Sequence, residues 1–135
     1  MLKIILGIIA GFVAWSILWV GSDQVLMLLS PRWYGAHQLE FARAFRNQEP
    51  FTADALVLGL NLMRAFVISV LSGLLSAFVA GENRKAPLLL GILLFVIGLI
   101  VEILIWQYLP VWYHVAFLLL IIPSTLLGGR LKSVE

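Results

Sequence analysis

Four long, mostly apolar runs decide what this chain can fold into: 4–21 with a continuation through 25–29, 55–80, 87–109 and 111–129. Hydrocarbon about 30 Å thick takes about 20 helical residues to cross, so each run suffices for one crossing. Composition agrees, with 62% hydrophobic and 12% charged residues among 135, against about half and about 25% in a soluble chain. Mean hydropathy is +1.05. The expected fold is all-α: an integral membrane four-helix bundle in one domain, 1–135. Spans at about 4–29, 55–80, 87–109 and 111–129 leave almost no mass outside the lipid bilayer.

The first run has a basic residue, Lys3, ahead of it and a small-residue stretch, Val20-Gly21-Ser22, behind it, as a signal peptide does. It is longer than the 7–15 apolar residues typical of such a segment, so it reads as a true first span. With an inner N-terminus, Lys3, Arg84, Lys85, Arg130 and Lys132 fall inside, while Arg32, Arg43 and Arg46 fall outside and Arg64 lies near the outer end of the second span. That bias favours both termini on the cytoplasmic side of the plasma (inner) membrane. It is small enough to leave dual topology with antiparallel pairing open.

The sizeable loop is 30–54. Gln38, Phe41, Ala42 and Phe45 recur there at helical spacing before Pro50, which predicts a short interfacial helix. Trp33, Tyr34 and Phe51 flank it as expected anchors at headgroup level. Arg32, Arg43 and Arg46 are candidate lipid-headgroup contacts, with plain anchoring the simpler account. The tight turn 81–85 predicts an antiparallel hairpin of the second and third spans. Pro110 suits the first turn of the last helix, and Pro123 should bend that helix by freeing the carbonyl of Leu119.

Membrane helices associate where small residues let backbones approach. Gly7, Ala10, Gly11 and Ala14 mark such a face on the first span, Ser69, Gly73, Ala77 and Gly81 on the second, and Gly91 and Gly98 on the third. At 100° per residue, Glu102 shares the Gly91/Gly98 side. The stripe Asn61, Arg64, Ala65, Ser69, Ser72 and Ser76 is the expected partner of that side.

Glu102 is the one formally charged residue between Lys85 and Arg130, and a carboxylate in an apolar run is costly to keep. At 1.5 Å per residue, Glu102, Arg64, His114 and Asp23 stand at about 22, 25, 21 and 28 Å from the inner ends of their helices. Helices running in alternating directions thus place their ionisable groups in one outer layer. Arg stays charged, so Arg64 needs an acceptor, which Glu102 or Asp23 can supply. Asn61, Gln107, Tyr108 and Tyr113 are available to complete the hydrogen bonding. The layer either fixes helix register or forms a substrate or ion site of Glu102, Arg64, Asn61, His114 and Asp23. His114 also reads as an interface residue beside Trp112 and Tyr113, and Asp23 as a boundary residue pointing away from the Gly7/Gly11 face.

The chain has no cysteine, two separated histidines, no HExxH and no glycine-rich phosphate loop. Catalytic residues, metals and cofactors are therefore not expected. A net charge of +2 with dispersed basic residues gives no reason to expect nucleic acid. In size and span number the chain is similar to small multidrug transporters and fluoride channels. It lacks the first-span Glu of the former and the glycine-rich opening followed by Arg of the latter, so no residue role carries over. The first expectation is a small transport or permeation protein with a polar site in the outer half. An accessory or scaffold subunit of a larger membrane complex is the alternative, and a lipid-modifying enzyme the third. A homo-oligomer or a larger membrane-protein partner is expected, because four short helices enclose little interior.

Overall fold

The computed structural model describes residues 2–132. Among them are five helices and no strand: α1 (Leu2–Leu29), α2 (Ala36–Asn47), α3 (Ala55–Ala80), α4 (Lys85–Leu104) and α5 (Val111–Arg130). The four other than α2 are long and apolar enough to cross a membrane. Helix starts follow side-chain capping. The Asp54 carboxylate accepts the Leu56 N–H (2.8 Å) at the start of α3, and Glu82 accepts those of Lys85 (2.9 Å) and Ala86 (2.6 Å) at the start of α4. Gly81, at φ 72°, ends α3 in the left-handed conformation that glycine adopts without strain.

Close backbone contacts set the helix order. The Gly7/Gly11 face of α1 packs on α3, where a methyl at Gly7 would sit 2.6 Å from the Ser76 carbonyl oxygen. Ser72 and Ser76 are buried there and their hydroxyls have no hydrogen-bond partner among the described residues, so they serve by being small. On its other side α3 meets α5, where methyls at Gly73 and Gly128 would lie 2.9 and 2.7 Å from the carbonyl carbons of Thr125 and Val70. The Gly91/Gly98 side of α4 faces Ile122, Thr125, Ile121 and Phe117 of α5. The expected pairing of that side with the small stripe of α3 is therefore incorrect. α3 is central, packed most extensively on α1 and α5, and the α3–α4 hairpin is the weaker association. The reason is steric: glycines facing backbone carbonyls draw α3 and α5 together, and α1 fills the opposite side. α1 and α4 meet along a looser seam.

Two ends differ from expectation. α4 stops at Leu104 rather than 109, because the chain tightens into a 3₁₀ turn, Trp106–Tyr108, and Leu109 is extended ahead of Pro110. Pro110 caps α5 from just outside (φ −69°, ψ 151°), its carbonyl accepting the Tyr113 N–H. The first loop does contain a helix, α2, preceded by a π-turn, Pro31–Gly35. Of its flanking aromatics Trp33 stays exposed, whereas Tyr34 and Phe51 are packed. Tyr34 is completely buried, Phe51 packs edge-on against His37 and Phe41, and the Trp33 indole donates to Asp54 at 2.7 Å. The loop is folded back onto the helix ends through Phe41 and Phe45 on Tyr108.

Candidate functional site

α3 carries Arg64 into the outer end of the bundle, and almost every donor of its guanidinium is served. Nε donates to Ser22 Oγ (3.0 Å), one terminal nitrogen to Tyr34 Oη (2.7 Å) and Asn61 Oδ1 (2.8 Å), and the other to the Trp19 carbonyl (2.5 Å). The group lies 4.1 Å above the centre of the Trp19 ring, and the Asp23 carboxylate supplies the countercharge at 3.8 Å. The Tyr34 hydroxyl donates to Asp23 (2.6 Å), and Gln38 donates to the same oxygen (2.9 Å). Burial first, and then the Asp23 carboxylate, push the Tyr34 hydroxyl well above its ordinary range, so it remains a donor. A guanidinium with five donors is costly to bury unless they are satisfied. Here carbonyl and hydroxyl oxygens take four of the five, and the Asp23 carboxylate balances the charge.

Glu102 does not pair with Arg64. Its carboxylate meets Nδ1 of His114 on α5, and both side chains are buried. The opposite ring nitrogen, Nε2, faces the Trp106 carbonyl at 3.1 Å, and the Trp106 indole stacks on the imidazole with centroids 4.4 Å apart. A carbonyl only accepts, so Nε2 must carry a hydrogen. That leaves one proton to be shared between Nδ1 and the carboxylate. With it the pair is neutral overall, as carboxylate–imidazolium or as acid–imidazole. Without it, a carboxylate and a lone pair face each other in a site that water barely reaches.

Beside this pair lies a cavity of about 380 Å³ along the α1–α4 seam, bordered by α2, α3 and α5 as well. Phe12, Trp15, Phe41, Tyr113 and Phe117 supply much of its wall; Asn61, Gln38, His37 and Glu102 supply its polar part. His37 is fixed in one tautomer. Its Nε2 accepts the Asp54 backbone N–H (3.1 Å), so Nδ1 carries the hydrogen and donates to Gln38 Oε1 (3.1 Å). Arg64 does not line the cavity.

The five residues read from the sequence as one site thus form two clusters. Arg64, Asn61 and Asp23 belong to one, Glu102 and His114 to the other, and Asn61 and Glu102 line the same cavity. Asp23, expected as a boundary residue pointing away from the Gly7/Gly11 face, lies 3.8 Å from Arg64 on α3, the helix that face packs on, and the loop brings Tyr34 and Gln38 to it. His114 is completely buried rather than at an interface. Gln107 is exposed and Tyr108 packs under α2. Arg32, Arg43 and Arg46 are exposed and spread along the loop; Arg43 is 3.9 Å from Glu40. Sequence reasoning missed Tyr34, Gln38 and the Trp106 carbonyl. The signal for Tyr34 was present, since a buried Arg needs more acceptors than one Asp provides. Among the described residues no group of three or more His, Asp or Glu is placed to hold a metal ion. No protein-family model, curated protein or solved structure matches this chain.

Proposed function

We propose that this chain is a multi-pass membrane protein of the transport or permeation class, working through the cavity and the proton held by Glu102 and His114. The membrane reading rests on four helices of sufficient length and apolarity whose outer surfaces are lined with exposed Leu, Ile, Val and Phe. The observation that carries the functional reading is a buried carboxylate, Glu102, that meets His114 and also lines a cavity. A carboxylate so placed can exchange its proton for a bound solute, which is the minimal element of coupled transport. The inner-membrane location, cytoplasmic termini and self-association expected from the sequence belong to this proposal. The accessory-subunit reading uses the same glycine faces but leaves the cavity without a role.

The test is reconstitution into liposomes with a pH-reporting dye inside. Under an imposed pH gradient, wild-type protein should let a panel of small amines and other solutes collapse the gradient, and Glu102→Gln should not, while remaining folded. Equal behaviour of the two proteins, together with a partner co-purifying at fixed stoichiometry, would favour the accessory reading.

A further inference from the structure

We infer that the cavity between α1 and α4 binds an organic cation with an apolar or aromatic body, such as a quaternary or tertiary ammonium compound, in exchange for the proton shared by Glu102 and His114. The inference deepens the transport reading by naming its substrate class and rests on the same cavity.

Three observations converge on positive charge. Aromatic rings from three elements line the space: Phe12 and Trp15 from α1, Phe41 from α2, and Tyr113 and Phe117 from α5. Ring faces attract ammonium groups, the more so where water is excluded. Second, the lining holds one carboxylate, that of Glu102, whereas the His37 ring accepts the Asp54 N–H and donates to Gln38, and the buried Arg64 is spent on Trp19, Ser22, Tyr34, Asn61 and Asp23. Third, Glu102 meets His114 through one oxygen, Oε2, and no hydrogen bond among the described residues engages Oε1.

Charge balance supplies the coupling. With its proton the Glu102–His114 pair is neutral and the empty cavity is neutral. A cation entering an apolar wall without a countercharge meets a large desolvation cost. If the shared proton leaves, the carboxylate carries one negative charge, His114 remains neutral with its Nε2 hydrogen on the Trp106 carbonyl, and the cation restores neutrality. One proton goes out for each monovalent cation that comes in, and no covalent bond changes apart from the one to that proton. The titratable groups facing Glu102 are His114 and Tyr113 from α5 and His37 from α2. α1 and α3 present only uncharged Trp15, Ser16, Trp19, Asn61 and neighbouring apolar residues to the cavity.

The test uses the full chain in lipid nanodiscs and two probes of nearly the same shape: benzyltrimethylammonium and its neutral carbon analogue, neopentylbenzene. Binding is followed by the fluorescence of the cavity tryptophans, and proton release by a pH indicator in weak buffer. Benzyltrimethylammonium should bind, tighten as pH rises, and release about one proton per cation bound. Glu102→Gln should keep the fold, weaken the cation by at least about tenfold and abolish proton release. Neopentylbenzene should bind with the same affinity to both proteins and release no proton. Phe117→Leu, which removes a ring but no charge, should weaken the cation more than the neutral probe. Equal affinity for the two probes, or cation binding without proton release, would overturn the inference in favour of a cavity that takes any apolar molecule, lipid included. Cation binding with proton release but no flux in liposomes would leave the inference standing and sink the transport reading. Flux of neutral solutes without cation binding would do the reverse.

Discussion

Arg64 and Glu102 stand at similar height in the bundle, both buried and both ionisable, yet their surroundings differ in kind. Arg64 has acceptors on every side and the carboxylate of Asp23 beside it. It joins α1, α3 and the first loop, and its charge has no other state to adopt. Glu102 has one partner, His114, one exchangeable proton, and a cavity against it. A charge that is saturated fixes structure, whereas a charge balanced by a single movable proton leaves room for chemistry. Whether a buried ionisable residue is a site therefore depends less on its burial than on how many partners it has and whether any of them can be exchanged.

Removing the saturated charge should have the largest effect on stability. Arg64→Met leaves Asp23 without its counterion and removes the donor to Ser22, Tyr34, Asn61 and Trp19. A loss of about 3–5 kcal/mol is expected, the usual cost of breaking a buried pair, read as a fall in the midpoint of thermal unfolding in detergent. Arg64→Lys should recover only part of it, because one ammonium cannot span Ser22, Trp19, Tyr34 and Asn61. Tyr34→Phe comes next. It deletes the hydroxyl that joins Arg64 to Asp23, and about 1–3 kcal/mol is expected for hydrogen bonds to charged groups. If both variants unfold like wild type, the contrast between the two clusters is wrong.

Glu102→Gln should show the opposite profile. The glutamine amide can donate to Nδ1 of neutral His114 while Nε2–H keeps the Trp106 carbonyl, so the hydrogen bond survives. The expected cost in stability is below about 1 kcal/mol, with proton exchange abolished. A loss as large as that of Arg64→Met would mean that the Glu102–His114 pair is structural too, and would remove the reason for treating it differently.

Much of this was legible in the sequence, and what was not has identifiable causes. Spacing of apolar runs gave the long helices, and rise per residue placed Glu102, Arg64, His114 and Asp23 in one layer, because both depend only on local helix geometry. Helical phase put Gly91, Gly98 and Glu102 on one side correctly but could not say which helix they face. That choice depends on Gly73 and Gly128 docking on backbone carbonyls across the bundle. The pairing of Arg64 was left between two acids for a similar reason. It was decided by a loop that folds back to deliver Tyr34 and Gln38, and by a backbone carbonyl, that of Trp106, which claims His114. Non-local packing and main-chain acceptors leave little trace in one sequence.

A last pair of carboxylates gives the smallest effect and calibrates the other two clusters. Asp54 and Glu82 cap helix starts near the ends of the bundle, and both are held below the ordinary carboxylate range. For Asp54 the Trp33 indole N–H is the main cause, followed by the Leu56 N–H. For Glu82 burial acts in the opposite direction but is outweighed by the N–H groups of Ala86, Lys85 and Arg84. A carboxyl with a depressed folded-state pKa adds stability that is complete above its unfolded value of about 4 and is lost as pH falls through the folded value. Protection of the Leu56 and Ala86 amides, corrected for the intrinsic pH dependence of exchange, should therefore stay level down to about pH 5 and drop toward about pH 3. Asp54→Asn, which keeps an N-cap acceptor but no charge, should flatten the drop at Leu56 alone.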